Sequence, residues 1–260
     1  MGEKIWRPDK QGRSPVWTLI LTGLLFLLPG VLRAYHPMST DDPGTTEFRS
    51  FELESGADLI SEEGQANIAP GYTMLHIGLA PRLEVDFTAT YNFWGDEDFE
   101  QLSGWGDAEA GIKYRFLGDG EGPFNLGAEM NFTLPSGDSD KGLSAGDTVI
   151  SEAILFGTVG KDNWRVLLNA GSTFAPDFRT SYLAGVGLEY SFSEKLVLAG
   201  ELFGTSDFND NEDERVESLE TLAGFYWSPR EWFNLSAGDS FGLAGEAPDN
   251  RFSAAVHFCW

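Results

Sequence analysis

Between residues 83 and 93 the chain alternates without a break. Leu83, Val85, Phe87, Ala89, Tyr91 and Phe93 occupy one parity, and Glu84, Asp86, Thr88, Thr90 and Asn92 the other. Successive side chains of an extended strand point to opposite faces, so this segment has one apolar and one polar face; a helical period of 3.6 would scatter both sets. The pattern recurs at 105–116, where Ala108, Ala110, Ile112, Tyr114 and Phe116 oppose Asp107, Glu109, Lys113 and Arg115. It recurs at 124–134, with Phe124, Leu126, Ala128, Met130, Phe132 and Leu134 against Asn125, Glu129, Asn131 and Thr133, and again at 182–192. Weaker segments near 46–58, 70–80, 148–159, 164–174, 196–205, 217–227, 232–242 and 251–260 bring the expected total to twelve strands. The 148–159 segment is apolar on both parities, so its register stays open.

Alternation alone fits a soluble sandwich with its apolar face inward, or a membrane barrel with that face on lipid. The connections separate the two. Those after even-numbered strands are short: 81–82, 117–122, 160–163, 193–195 and 228–231. Those after odd-numbered strands are longer and polar: 59–69, 95–104, 135–147, 175–181, 206–216 and 243–250. Tight turns at one end and long loops at the other are the layout of an outer-membrane barrel, and an even count puts both ends of the sheet at the periplasmic side. Aromatic residues gather near strand ends (Phe93, Phe116, Phe132, Tyr190, Trp227, Phe258), as interfacial girdles do. The sequence therefore predicts an all-β fold, a transmembrane antiparallel β-barrel in the bacterial outer membrane, surrounded by outer-membrane lipid.

The first residues fit that destination. Lys4, Arg7, Lys10 and Arg13 precede an apolar run at 16–28, then Pro29-Gly30 and a small Ala34. This is the layout of a secretory signal over 1–34. Residues 35–45 are expected to form a periplasmic arm, and 46–260 the barrel. Residues 35–260 carry 12 Lys or Arg and 39 Asp or Glu, a balance that repels nucleic acid and anionic headgroups. Cys259 is the one cysteine, which excludes an internal disulfide. The last ten residues, RFSAAVHFCW, set Phe252, Ala254, Val256, Phe258 and Trp260 on one face; this strand is expected to close the barrel against the first.

No catalytic or cofactor constellation is legible. His36, His76 and His257 lack the His-x-Ser-Asn arrangement of the outer-membrane phospholipase, and His76 and His257 are expected to face the lumen. The run at 207–218 begins like a calcium loop but has Glu212 where Gly is required and Ser218 where Glu is required. Gly104-x-Gly106 and Gly185-x-Gly187 lack the third glycine of a nucleotide fingerprint; inside a narrow barrel, glycine makes room for large opposing groups. No cofactor and no metal are expected. The informative set is the polar strand face, which should line the lumen: Glu84, Asp86, Asp107, Glu109, Lys113, Arg115, Glu129, Arg165, Glu189, Glu201, Glu220 and Arg251. Lys113 and Arg115 are expected to pair with Asp107 and Glu109, leaving Glu129, Glu189 and Glu201 as freer charges. These groups read either as a salt-bridge network or as the lining of a permeation path.

The stretch STDDPGTTEFRSFELESG, with Thr40-Asp41-Asp42-Pro43-Gly44-Thr45 and Phe51-Glu52-Leu53-Glu54, resembles the mature start of a bacterial outer-membrane family. Gly106-Asp107, Lys113-Tyr114-Arg115-Phe116 and Leu134-Pro135-Ser136-Gly137 are similar to its middle strands and loop. That family is labelled phenol meta-pathway degradation or transporter. The resemblance implies a barrel for uptake of small, often aromatic compounds. The terminal aromatic strand, with Phe258 and Trp260, in turn resembles the signal that bacterial barrel-assembly machinery recognises. The expected function is a passive channel for small neutral, aromatic or cationic solutes and not an enzyme; the alternative is a structural barrel with a closed, salt-bridged lumen.

Overall fold

The computed structural model describes residues 36–62, 65–94, 103–120, 122–144, 146–176, 180–207 and 217–260. The expected signal segment at 1–34 and most of the acidic loops at 95–104 and 206–216 lie outside the described residues. The strands are β1 (Phe51–Glu62), β2 (Gln65–Ala80), β3 (Leu83–Trp94), β4 (Gly104–Trp105), β5 (Ala108–Leu117), β6 (Phe124–Leu134) and β7 (Ile150–Lys161). They continue as β8 (Trp164–Phe174), β9 (Ser181–Ser193), β10 (Leu196–Ser206), β11 (Glu217–Arg230), β12 (Phe233–Gly245) and β13 (Asn250–Cys259). The two-residue β4 pairs only with the end of β3; the other twelve form a continuous antiparallel sheet. That sheet closes where β13 pairs with β1, from Glu52↔Cys259 to Ser61↔Asn250. Phe51 and Trp260 extend the seam by exchanging both backbone hydrogen bonds. Closure matters because lipid satisfies no backbone group, so a spanning sheet tolerates no free edge.

The period-two pattern sets what faces out. Phe87, Ile112, Leu155, Val186 and Leu202 stand exposed on the outer surface, while Glu84, Asp86, Lys113, Glu189 and Glu201 are buried within. At the short-turn end the outer aromatics form a belt. Phe233 sits across from Phe258 with ring centroids 5.3 Å apart, Trp232 stacks on Phe258 at 6.4 Å, and Trp164 meets Tyr190 at 4.6 Å.

One expectation is corrected, and one open register is settled. The stretch 59–69 is not a loop: β1 and β2 run to Glu62 and from Gln65. Its side chains carry no clear alternation, but Ile60 and Ser61 continue the ladder to Arg251 and Asn250. Strand β7 acquires a register from its neighbours: Ile150, Glu152, Ile154, Phe156 and Thr158 are buried inside, and Leu155 and Val159 stand outside. The inner surface is consequently not uniformly polar. Ile154, Phe156, Leu183 and Phe203 form one apolar cluster on the β7, β9 and β10 wall, and Leu167, Ala199, Leu222 and Tyr226 another.

Val186 lies midway along β9, opposite Leu168 and Leu202 on the outer face. Val186→Arg should destabilise the barrel in lipid vesicles by about 2–4 kcal/mol, read by denaturant unfolding. An unchanged midpoint would place this face away from hydrocarbon.

Candidate functional site

The lumen is built around residues 36–46. The segment expected as a periplasmic arm instead lies inside the barrel and follows its inner wall. Followed backwards from Thr46, it meets the strands in turn. The Thr46 amide donates to Glu84 Oε2 on β3. Pro43 rests on Gly127 of β6. Asp42 Oδ2 accepts from Arg165 Nη1 on β8 at 2.6 Å, and Asp41 Oδ2 from Lys113 Nζ on β5 at 2.7 Å. Asn169 of β8 brackets the Asp41 backbone: its Oδ1 accepts from the Asp41 amide, and its Nδ2 donates to the Asp41 carbonyl, both at 2.7 Å. Glu201 on β10 accepts from the Ser39 amide at 2.9 Å and from the Thr40 amide. Met38 is buried among Leu167, Ala199, Leu222 and Tyr226. The circuit ends at β1, where His36 Nε2 lies 2.9 Å from Asp58 Oδ1 and the imidazole packs 4.6 Å from the Tyr72 ring.

The inward glycines explain how a second layer of backbone fits. A Cβ at Gly185 would stand 2.3 Å from Thr40 Cγ2, and one at Gly187 would stand 2.5 Å from Thr40 Oγ1. A Cβ at Gly224 or Gly238 would stand 2.7 Å from Pro37. Gly185 and Gly187 therefore make room for this strap, whereas Gly104 meets the side chains of Leu143 and Lys141 and Gly106 those of Asn92 and Thr90. Gly78 serves its exit, since a Cβ there would lie 1.9 Å from the Glu47 carbonyl oxygen.

The twelve charged residues singled out from sequence are placed as follows. Glu84, Asp86, Lys113, Glu189, Glu201 and Glu220 are buried on the inner face. Lys113 pairs with Asp41 of the strap, not with Asp107 or Glu109, and its Nζ also lies 5.1 Å from the centre of the Phe156 ring. Glu109 accepts from Thr133 Oγ1 at 3.1 Å. Asp107 sits at the loop end of β5, where its Oδ1 accepts from the Ser136 and Gly137 amides at 2.9 and 2.8 Å. Arg115 lies at the opposite end, its guanidinium over Gly120. Glu189, expected to be freer, is 2.6 Å from Arg165 Nε, and Glu201 is committed to the strap amides. Glu129 faces inward opposite Lys113 in the β5–β6 register. Arg251 reaches Glu220 at 3.1 Å.

Sequence reasoning missed Asp58, His36, Asp41, Asp42 and Asn169, because the strap's position is set by contacts 22 to 162 residues away. His76 and His257 face the lumen. His76 Nδ1 is 2.6 Å from Asp86 Oδ1, and His257 Nε2 is 2.9 Å from Glu52 Oε2.

Between the strap and the β8–β12 wall lies a cavity of about 260 Å³. Its apolar side is Met38, Leu167, Val197 and Tyr226, and its polar side includes Asp42, Arg165 and Glu189. It lies in the short-turn half of these strands.

No protein-family profile and no curated protein matches the sequence. Solved structures do. The COG4313 outer membrane channel from Pseudomonas putida F1 superposes with a TM-score of 0.63 at 18% identity, over 84% of this chain and 99% of that one. The NanC porin superposes with a TM-score of 0.57 at 10% identity, over 80% of this chain and 98% of that one. The KdgM porin in complex with disordered oligogalacturonate gives 0.55 at 11% identity, with the same two coverages. At such identities the likeness is one of fold, and that fold is the outer-membrane barrel. The phenol meta-pathway name gains no support from it.

The strap's docking should depend on pH through His36. Burial opposes the imidazolium, but the Asp58 carboxylate, with Glu54 behind it, outweighs burial and raises the pKa above the ordinary 6.5. A docked group with a raised pKa contributes fully below pH 6.5, and the contribution is lost as pH rises through the docked value. Amide hydrogen exchange at 36–40, corrected for intrinsic rates, should therefore accelerate as pH rises from 6.5, and His36→Gln should remove that dependence. Gly185→Val should free the same amides at every pH by expelling Thr40.

Proposed function

We propose that the protein is a passive outer-membrane channel for small solutes, gated by the strap. The observation that carries this reading is the cavity between strap and wall, together with the apolar inner lane on either side of it. Toward the long-loop end the lane continues through Ile154, Phe156, Leu183 and Phe203; toward the short-turn end it comprises Leu167, Ala199, Leu222 and Tyr226. Leu167, Ala199, Leu222 and Tyr226 also seat the strap's Met38, so displacing the strap would open this half of the lane to solute. Ligand sites are mostly apolar with a few placed polar groups, and this lumen has that composition.

The solute class follows from the lining. An apolar lane beside Glu, Asp and Arg suits small neutral or aromatic organic solutes. The excess of inward carboxylates favours cations over anions in a confined passage. The strap blocks part of the lumen, so permeation requires its displacement or its partial loosening.

Deleting residues 36–46 should raise single-channel conductance in planar bilayers severalfold, with some loss of barrel stability because Lys113 and Arg165 lose Asp41 and Asp42. Reversal potentials across a salt gradient should report cation preference, weakened by Glu129→Gln. Glu201→Gln should instead raise conductance, because it leaves one acceptor oxygen where the Ser39 and Thr40 amides now have two. Absence of conductance both in the wild type and in the deletion would favour the closed structural barrel; anion preference would reject the charge argument.

A further inference from the structure

The inner face of the β2–β3 hairpin gathers three metal-ligating side chains, of which the strap engages only one oxygen of Glu84. His76 of β2 stands directly across from Asp86 of β3, and Glu84 is one inward position earlier on β3. The His76 Nδ1, Glu84 and Asp86 ligand atoms lie within 4.8 Å of one another. His76 Nδ1 is 2.6 Å from Asp86 Oδ1 and 3.5 Å from Glu84 Oε1. Glu84 and Asp86 are 5% and 3% exposed. Asp86 Oδ2 is buried and has no hydrogen-bond partner, a costly state for a carboxylate oxygen. An ion held by His76 and this carboxylate would satisfy it.

We propose that His76, Glu84 and Asp86 form a binding site for a divalent transition-metal ion, with zinc(II) as its representative. One imidazole and two carboxylates are a zinc-type donor set, and a site with three protein ligands leaves a fourth position for water. Ligand atoms in a tetrahedral zinc site stand about 3.4 Å apart, from bonds of about 2.0–2.1 Å. Glu84 already has that spacing from His76 at 3.5 Å, and Asp86 Oδ1, now at 2.6 Å, would have to draw back to admit the ion. Both strands are hydrogen-bonded through this region, so the donors come from a rigid frame.

The surroundings are defined. Lys113 is the cross-strand neighbour of Glu84, but its Nζ is engaged by Asp41. Glu52, across from His76 on β1, is engaged by His257, whose ring centroid is 6.0 Å from that of His76. Zinc binding releases any proton that His76 carries; the two carboxylates bind as anions. Glu84 keeps Oε2 for the Thr46 amide, so a bound ion would brace the strap where it leaves the wall.

The competing reading is an ion pair in which a protonated His76 bridges two carboxylates. Titration calorimetry with zinc chloride separates the two, using the full barrel folded in detergent and stripped with EDTA. The wild type should bind a single high-affinity ion, and His76→Gln and Asp86→Asn should each weaken it by about tenfold or more. Folding of the variants is checked by heat-modifiable gel mobility. The absence of a high-affinity ion, or affinity unchanged in both folded variants, overturns the site. Should either variant fail to fold, zinc-edge anomalous scattering from wild-type crystals decides. A peak between His76 and Asp86 supports the proposal; a peak at Glu52, His257 and Cys259, or only at surface carboxylates, overturns it.

Discussion

The seam between β1 and β13 is the constraint on which the rest depends. In hydrocarbon no water reaches an unpaired N–H or C=O, so the sheet must return to its own first strand. That return is made by ten residue pairs from Glu52↔Cys259 to Ser61↔Asn250, and Phe51 and Trp260 prolong it. Once the sheet closes, strand parity has two meanings and no third. One set of side chains meets lipid, and the other is confined with every other inward group. A dozen strands enclose more space than inward side chains alone fill, yet less than a wide aqueous channel.

The strap follows from that intermediate size. It brings backbone amides to acidic groups that would otherwise face one another across a confined space. Glu201 receives two of them and Glu84 a third. It also brings Asp41 to Lys113 on β5 and Asp42 to Arg165 on β8. Such pairs are worth keeping only when both partners are held, because removing one leaves a buried charge uncompensated. The strap and the lumen charges therefore form one electrostatic unit. A mutation designed to neutralise a wall carboxylate also changes where the strap sits.

On β7 to β11 these polar groups alternate with two apolar clusters. The Met38 side chain docks there, and the cavity beside it is lined by Leu167, Val197 and Tyr226. A segment held by many modest contacts around a circuit, rather than by one deep anchor, loosens in parts. Local opening of that kind is how low-stability segments of a folded protein ordinarily move.

The alternation at 83–93, 105–116, 124–134 and 182–192, with short and long connections in turn, was enough to determine an outer-membrane barrel of twelve strands and the outward placement of Phe87 and Ile112. Parity and turn length are local properties, and a closed sheet magnifies them. The length of β1 and β2 and the register of β7 were not legible, because neighbouring backbones set them through the ladder while their own side chains are ambiguous. The strap was least legible of all. Nothing in the local pattern of 36–46 says that Thr40 will lie against Gly185 and Gly187, or that Lys113 will choose Asp41 over Asp107. His76, Glu84 and Asp86 span both cases, since alternation placed them inside but only the β2–β3 register set His76 beside Asp86. Those choices depend on distances across a closed lumen, which exist only after the last strand has met the first.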